Sequence, residues 1–338
     1  MNGVVIIDKP PGLTSHDVVN RVRRILGQRS VGHLGTLDPS ATGVLPIVVG
    51  NLTRLAQFYA HSEKTYEGVI RFGFATDTYD ADGEPTTPVQ DVQINYDEIR
   101  ALAAQFQGVI EQMPPPFSAK KIAGVPAYKL ARKKEPVELR PVQVEIKEFE
   151  ILDAESDQAS GIQVETRLAA SEVGQTPSLQ GNSGLLTPRV QPNDQPGLHP
   201  KNDQAAFRAR VASGTYIRSI AHEMGRKLGC GAHLASLRRT AVAEFAIADA
   251  HSVAALEAAM QQGIVGSLFV HPRKLVPGLP SVTATEEVSA LIRCGRAVNL
   301  PEMSRAPQVK VFYGQAELIA IATRIAGTLF HPQIVFPT

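Results

Sequence analysis

Alternation of residues at a period of two is the feature that most restricts this chain. Tyr66, Gly68, Ile70 and Phe72 alternate with Glu67, Val69 and Arg71, and Val142, Val144 and Ile146 with Gln143, Glu145 and Lys147. Phe207, Ala209 and Val211 alternate with Arg208 and Arg210. Successive side chains of a strand point to opposite faces, so each segment predicts a half-buried strand. Segments of helical period lie between them. Thr14 and Asp17 form a capping box ahead of Val18, Val19, Val22, Ile25 and Leu26, and Gly27 stands where a helix end calls for positive φ. Asn95 caps a run carrying Ile99, Leu102, Ala103 and Phe106, closed by Gly108. Ile217, Ile220, Ala221, Met224 and Leu228 share one face, with Gly229 past the end. Long strands and interspersed helices without a regular strand–helix repeat predict an α+β fold, with a mixed, mainly antiparallel sheet and flanking helices around a cleft.

Other stretches set the organisation. Val4–Ile7 and Val44–Val49 are short apolar runs that predict buried strands, the first stopped by Asp8-Lys9-Pro10-Pro11-Gly12. Residues 170–203 are rich in Gly, Pro, Ser, Gln and Asn and carry almost no apolar periodicity, so a disordered insertion is expected there. After about Leu275, Val309–Phe312, Leu318–Ala322 and Gly327–Phe330 predict a small β-rich unit. The 338 residues thus divide into a large unit over 1–270 and a small one over 275–338. With 43% hydrophobic and 20% charged residues, the chain is neither disordered nor fibrous. Two cysteines, Cys230 and Cys294, supply neither a disulfide framework nor a structural zinc site. The opening residues lack the basic region of a signal peptide, and no apolar stretch is long enough to span a bilayer. A cytoplasmic protein with no membrane contact is expected.

Three constellations can carry chemistry. In Gly32–Gly43, Asp38 is flanked by Pro39 and by apolar Leu34, Leu37, Ala41 and Val44, with no Lys or Arg between the glycines. Such a carboxylate is either solvated or paired with a cation from elsewhere in the chain, the bland reading being an Asp-Pro turn. Lys64-Thr65-Tyr66 places a tyrosine at a strand start, where it can stack on a base, move a proton or pack on the core. In Ser213–Ser219, Thr215 is the expected N-cap and Arg218 falls in the first helical turn, where a cation opposes the helix dipole and answers an anion. A formal charge of +1 still leaves room for a local basic face. Lys120, Lys121, Lys129, Arg132, Lys133, Lys134 and Arg140, with Arg238 and Arg239 further on, interleave with Phe117 and Tyr128 as RNA contacts do. The glycine spacing matches neither a phosphate-binding loop nor a dinucleotide fingerprint. His222-Glu223 lacks the second histidine of a zinc protease, and Cys230 with His233 lacks further ligands.

Taken together, these segments resemble the bacterial tRNA pseudouridine-55 synthase family. The resemblance rests on Gly35-Thr36-Leu37-Asp38-Pro39, Lys64-Thr65-Tyr66, Asp77–Gly83, Pro114–Lys121, Gly214–Ser219 and Leu228–Leu234 running into Leu237-Arg238-Arg239. It implies a catalytic domain with Asp38 as catalytic carboxylate, Tyr66 stacking on the target uracil and acting at C5, and Arg218 pairing with Asp38. His33, Tyr216 and Leu237 match positions lining the uridine pocket. The tail resembles that family's small PUA-like RNA-binding domain. The family acts on the T arm of tRNA without cofactor or metal, and a monomer is expected. The residues leave open whether the carboxylate attacks ribose, attacks the ring or triggers elimination to a glycal. They also leave open a related branch acting on ribosomal or small nuclear RNA. A non-catalytic RNA-binding protein and a nucleotide-binding enzyme are the readings from other classes.

Overall fold

The capping box read at Thr14 forms as expected in the computed structural model, which describes residues 1–118, 121–122, 125–126, 139–152 and 203–337. The Thr14 hydroxyl accepts from Asp17 N, the Asp17 carboxylate accepts from Thr14 N, and Gly27 ends helix α1 (Ser15–Leu26) at φ 61°. Val18, Val19, Val22 and Leu26 are buried along one stripe of α1. The stripe lies against strands β1 (Gly3–Lys9) and β3 (Thr42–Val49). β1 reads as a continuous apolar run because both its faces are covered. Val5 and Ile7 pack with α1 and with Leu256 and Ala259, whereas Val4 and Ile6 pack with Phe312, Leu318, Ile334 and Phe336 from the end of the chain.

Between and beyond these lie β2 (Val31–His33), a four-residue helix α2 (Ala56–Tyr59), β4 (Lys64–Phe72), α3 (Tyr96–Ala104) and β5 (Gly108–Gln112). A two-stranded hairpin, β6 (Lys121–Ile122) and β7 (Val125–Pro126), precedes β8 (Val142–Ile151) and β9 (Gln204–Val211). Helix α4 (Ile217–Leu228), β10 (Ala232–Val242), β11 (Phe245–Ala246) and α5 (Val253–Gln261) follow. Among the described residues, the large sheet has nine strands in the order β1-β3-β10-β4-β9-β8-β5, with β2 beside β3 and β11 beside β10. All its pairings are antiparallel except β10 with β3, so the expected mixed, mainly antiparallel architecture is the one observed. α3 and α4 lay Ile99, Leu102, Ile217, Ile220 and Met224 on Phe72, Phe149 and Phe207. Each large side chain buried there stabilises the fold by about 2 kcal/mol.

Some boundaries differ from the sequence reading. α3 ends at Ala104, and Gly108, at φ 93°, opens β5 instead of closing the helix. The N-cap of α4 is Tyr216, not Thr215, and it makes no side-chain cap bond. Residues 170–202 of the expected insertion lie outside the described residues. Asp203, its last member, receives Arg71 Nε at 3.1 Å beside β4.

A second, five-stranded sheet is built from β12 (Ser281–Ala284), β13 (Val298–Asn299), β14 (Gln308–Tyr313), β15 (Glu317–Ala326) and β16 (Leu329–Val335), with helix α6 (Glu286–Arg293) on it. Its last strand starts at Leu329, not Gly327, because Gly327 occupies the positive-φ turn before it. The small sheet is fastened to the body by more than apolar packing. Arg54 Nη1 donates to Val335 O at 2.9 Å, and Asn51 Nδ2 to Pro337 O at 2.8 Å. Tyr59 donates its hydroxyl to Glu244 Oε1 at 2.5 Å, and Val276 N reaches both of these oxygens.

The parallel crossing of β3 and β10 is tight. Gly43 has φ +100°, and a Cβ there would lie 2.2 Å from Arg239 O and 2.9 Å from Arg239 N. Backbone cannot yield as a side chain can. Gly43→Ala is therefore expected to cost roughly 3 kcal/mol, read as a lower urea midpoint at an unchanged slope.

Candidate active site

Asp38 stands in the loop between β2 and β3, and its two neighbours are tied down. Ser15 Oγ, at the start of α1, accepts from Leu37 N at 2.8 Å and donates to Leu37 O at 3.2 Å. On the other side, Pro39 O receives Lys9 Nζ at 2.9 Å and Gly12 N at 2.9 Å. Lys9 is fully buried and also donates to Pro10 O and Leu13 O at 3.0 and 2.7 Å. Burial lowers the Lys9 ammonium to about 8, with the Asp38 charge acting in the opposite direction. An unfolded lysine titrates near 10.4. Between those values the unfolded chain binds more protons, so this group favours folding more as pH rises through that window.

Arg218 reaches the same loop from the first turn of α4. Its Nε lies 3.0 Å from Asp38 Oδ2. Nη1 lies 3.2 Å from Asp80 Oδ2 and donates to Thr78 O at 3.1 Å, and Nη2 donates to Phe117 O at 3.0 Å. The anion anticipated for this cation is thus two carboxylates. The pair is asymmetric: the Arg218 side chain is 7% exposed and that of Asp38 41%. The guanidinium is locked in the protein while the carboxylate is open to an incoming molecule. Asp80 is enclosed, and burial raises its carboxyl while the Thr78 hydroxyl and then Arg218 pull it down.

A cavity of about 430 Å³ adjoins the pair, lined among others by His33, Asp38, Tyr66, Tyr216, Arg218 and Leu237. All six residues singled out in sequence for catalysis or the pocket therefore meet at one place. Burial, then the nearby Arg239 charge, keeps the His33 imidazole below its ordinary value. Tyr216 is positioned through its backbone, which gives its N–H to Gln112 Oε1 at 2.8 Å and takes Gln112 Nε2 on its carbonyl at 3.0 Å. Tyr66, 8% exposed, sits opposite Arg239 in the β4–β10 register.

The expected RNA contacts fare differently. Lys120, Lys129, Arg132, Lys133 and Lys134 lie outside the described residues, and Lys121 is described only in its backbone, in β6. Arg238 is partly exposed and pairs with Asp8 at 2.8 Å. Arg239 is a correction: it is completely buried and donates to Val44 O, Thr36 O and Gly35 O at 2.8, 3.1 and 3.1 Å. It also bonds the Tyr66 side chain. It is a strut of the site and not a phosphate contact. His222 stacks on Tyr79 at 3.8 Å, and His233 Nδ1 lies 3.1 Å from Phe74 O. Sequence reasoning missed Lys9, Ser15, Asp80 and Gln112. Lys9 carried a signal as a lone cation between an apolar strand and two prolines, and Asp80 lay inside Asp77–Gly83, a segment of the resemblance, without a role of its own.

The fold resembles that of the chain in a crystal structure of a Cbf5-Nop10-Gar1 complex, with a TM-score of 0.63 at 23% identity over 99% of this chain and 85% of that one. A structure of an H/ACA RNP bound to a substrate RNA gives a TM-score of 0.64 at 22% identity with the same coverage. At these identities the likeness is one of fold, and sequence is more specific. The N-terminal domain of TruB family pseudouridylate synthases matches residues 23–172, and the C-terminal domain of tRNA pseudouridylate synthase B matches 218–267. A tRNA pseudouridine synthase B from Solibacter usitatus is 40% identical over 99% of this chain and 100% of its own length. One from Bacillus cytotoxicus is 36% identical over 95% of this chain and 92% of its own. The chain belongs to the TruB family of pseudouridylate synthases, which are isomerases. Among the described residues, no helix is long and apolar enough to cross a membrane.

Replacing Lys9 by Met leaves buried carbonyls without their donor. The variant is expected to lose about 2 kcal/mol of stability by thermal unfolding. It is also expected to form pseudouridine roughly tenfold more slowly, because the Pro39 side of the Asp38 loop is released.

Proposed function

We propose that this enzyme converts uridine 55 in the T loop of tRNA to pseudouridine, with Asp38 as the catalytic carboxylate. The observation that carries this reading is the Asp38 carboxylate, held by a buried Arg218 at 3.0 Å and facing a nucleoside-sized cavity that Tyr66 also lines. The reaction breaks the C1′–N1 glycosidic bond, turns the uracil and joins C1′ to C5. C5 then gives up its proton and N1 gains one, so the balance closes without a redox step. Asp38 serves this chemistry as a nucleophile toward C1′ or the ring, or as the group that starts elimination to a glycal. Arg218 orients the carboxylate and sets a fixed positive charge beside it as the substrate displaces water. Tyr66 stacks on the uracil and acts on the C5 proton, and His33, Tyr216 and Leu237 enclose the base. A uridine inside a folded loop must leave its stack to reach such a cavity, which is why an enclosing wall of aromatic and apolar side chains fits the task. We further propose that the small C-terminal unit contacts the RNA, that the enzyme acts as a monomer, and that it works where tRNA is, in the cytoplasm.

Asp38→Asn keeps the size of the side chain and removes its charge. We expect it to bind tRNA as the unaltered enzyme does, within about threefold, and to release no tritium from tRNA carrying 5-tritiated uridine. Turnover at the normal rate would refute the role of Asp38. Pseudouridine mapping of total RNA incubated with the purified enzyme checks the substrate. The expected signal is at position 55 of tRNA, and one confined to ribosomal RNA would overturn that assignment.

A further inference from the structure

The cavity wall carries a second cation that the chemistry above does not use. Lys64, the first residue of β4, lines it half-buried. Its ammonium donates to Ser62 O at 2.7 Å and, among the described residues, makes no ion pair. An atom at the Cβ position of Gly35 would stand 3.6 Å from both Lys64 Cε and Arg239 Nη1, so two cations converge on one point of the wall. Arg239 has its carbonyls and Tyr66, and Arg218 is saturated by Asp38, Asp80 and two carbonyls. Lys64 has no such compensation. Burial and then the Arg239 charge lower its ammonium to about 8, with no carboxylate opposing them. On the same wall, Thr215 Oγ1 is buried without a partner.

A half-buried ammonium with spare N–H donors and an unused hydroxyl make a place for an anion. Uracil and ribose are neutral, before and after isomerisation. The anions that a polynucleotide brings into a cavity are its phosphodiesters. We propose that Lys64, with Thr215 lining the same cavity, binds the phosphodiester next to the extruded uridine. Lys64 is then a positioning residue that fixes the ribose relative to Asp38. This inference rests on the reading of an RNA substrate given above and names how that substrate is gripped.

The test measures equilibrium binding of a T-arm hairpin over a range of salt, in the Asp38→Asn background so that bound RNA is not turned over. Lys64→Met should weaken binding roughly tenfold and reduce the slope of log Kd against log salt by about one. Lys64→Arg, which keeps the charge, should stay within about threefold with the original slope. A second hairpin carries neutral methylphosphonates at the two linkages flanking the target uridine. Against it, the Lys64 protein should lose the same roughly tenfold, and Lys64→Met should lose nothing more. An unchanged salt slope, or a Lys64→Met loss of equal size on both hairpins, would show that Lys64 shapes the wall or touches the base, and would overturn the proposal. If binding behaved as expected but the unaltered enzyme formed no pseudouridine in the hairpin, the proposed reaction would fail while the phosphate contact stood.

Discussion

Arg218 is the point on which four parts of the chain converge. Its guanidinium, carried by α4, is engaged by the Asp38 loop, by the turn holding Thr78 and Asp80, and by Phe117 O. Bringing an arginine to near-complete burial costs several kcal/mol unless its donors are matched. Here Nε, Nη1 and Nη2 all meet oxygen, two of them on carboxylates. The arrangement is poor value as a source of stability and effective as a means of precision, since moving any partner leaves a buried charge uncompensated. The helix dipole that disfavours a cation at this position is outweighed by two nearby negative charges. A residue whose local preference is overridden in this way reports a demand from elsewhere in the fold.

The second organising device is a row across the sheet. Lys9 of β1 faces Gly43 of β3, Gly43 faces Arg239 of β10, Arg239 faces Tyr66 of β4, and Tyr66 faces Ala209 of β9. The row is unusual in carrying two buried cations through a hydrophobic interior. Both spend their donors on backbone carbonyls: Lys9 on Pro10 and Leu13 of the β1–α1 connection and on Pro39 of the Asp38 loop, Arg239 on Gly35 and Thr36 of that loop and on Val44 of β3. Irregular backbone cannot satisfy its own carbonyls as a helix or sheet does. Cations rooted in neighbouring strands do it instead, and the loop that presents the carboxylate gains the rigidity of the sheet beneath it.

How much of this was legible in the sequence depends on whether the signal was local. The cap at Thr14, the stop at Gly27, the alternation at Tyr66–Phe72 and the odd placement of Arg218 are decided by residues a few positions apart, and each is found in the structure. β10, which lies between β3 and β4, escaped. Its register slips between Leu234 and Ser236 and again between Arg239 and Ala241, so the apolar and polar residues never keep a period of two. Missing the strand also hid Arg239, because an arginine pair after a helix looks like a solvated face. The pairing of Asp80 with Arg218 was invisible for another reason, although the segment Asp77–Gly83 belongs to the resemblance. The two residues lie 138 positions apart, and the neighbourhood of Asp80 reads as a polar turn.

Tyr59 belongs both to the cavity wall and to the junction with the small sheet, since its hydroxyl and Glu244 together receive the Val276 amide. The C-terminal unit is therefore no pendulum on a slack tether. Any swing large enough to follow a bulky nucleic acid must either break that three-way knot or drag the wall of the reaction chamber along. Displacement of the small sheet and the shape of the cavity are mechanically one variable.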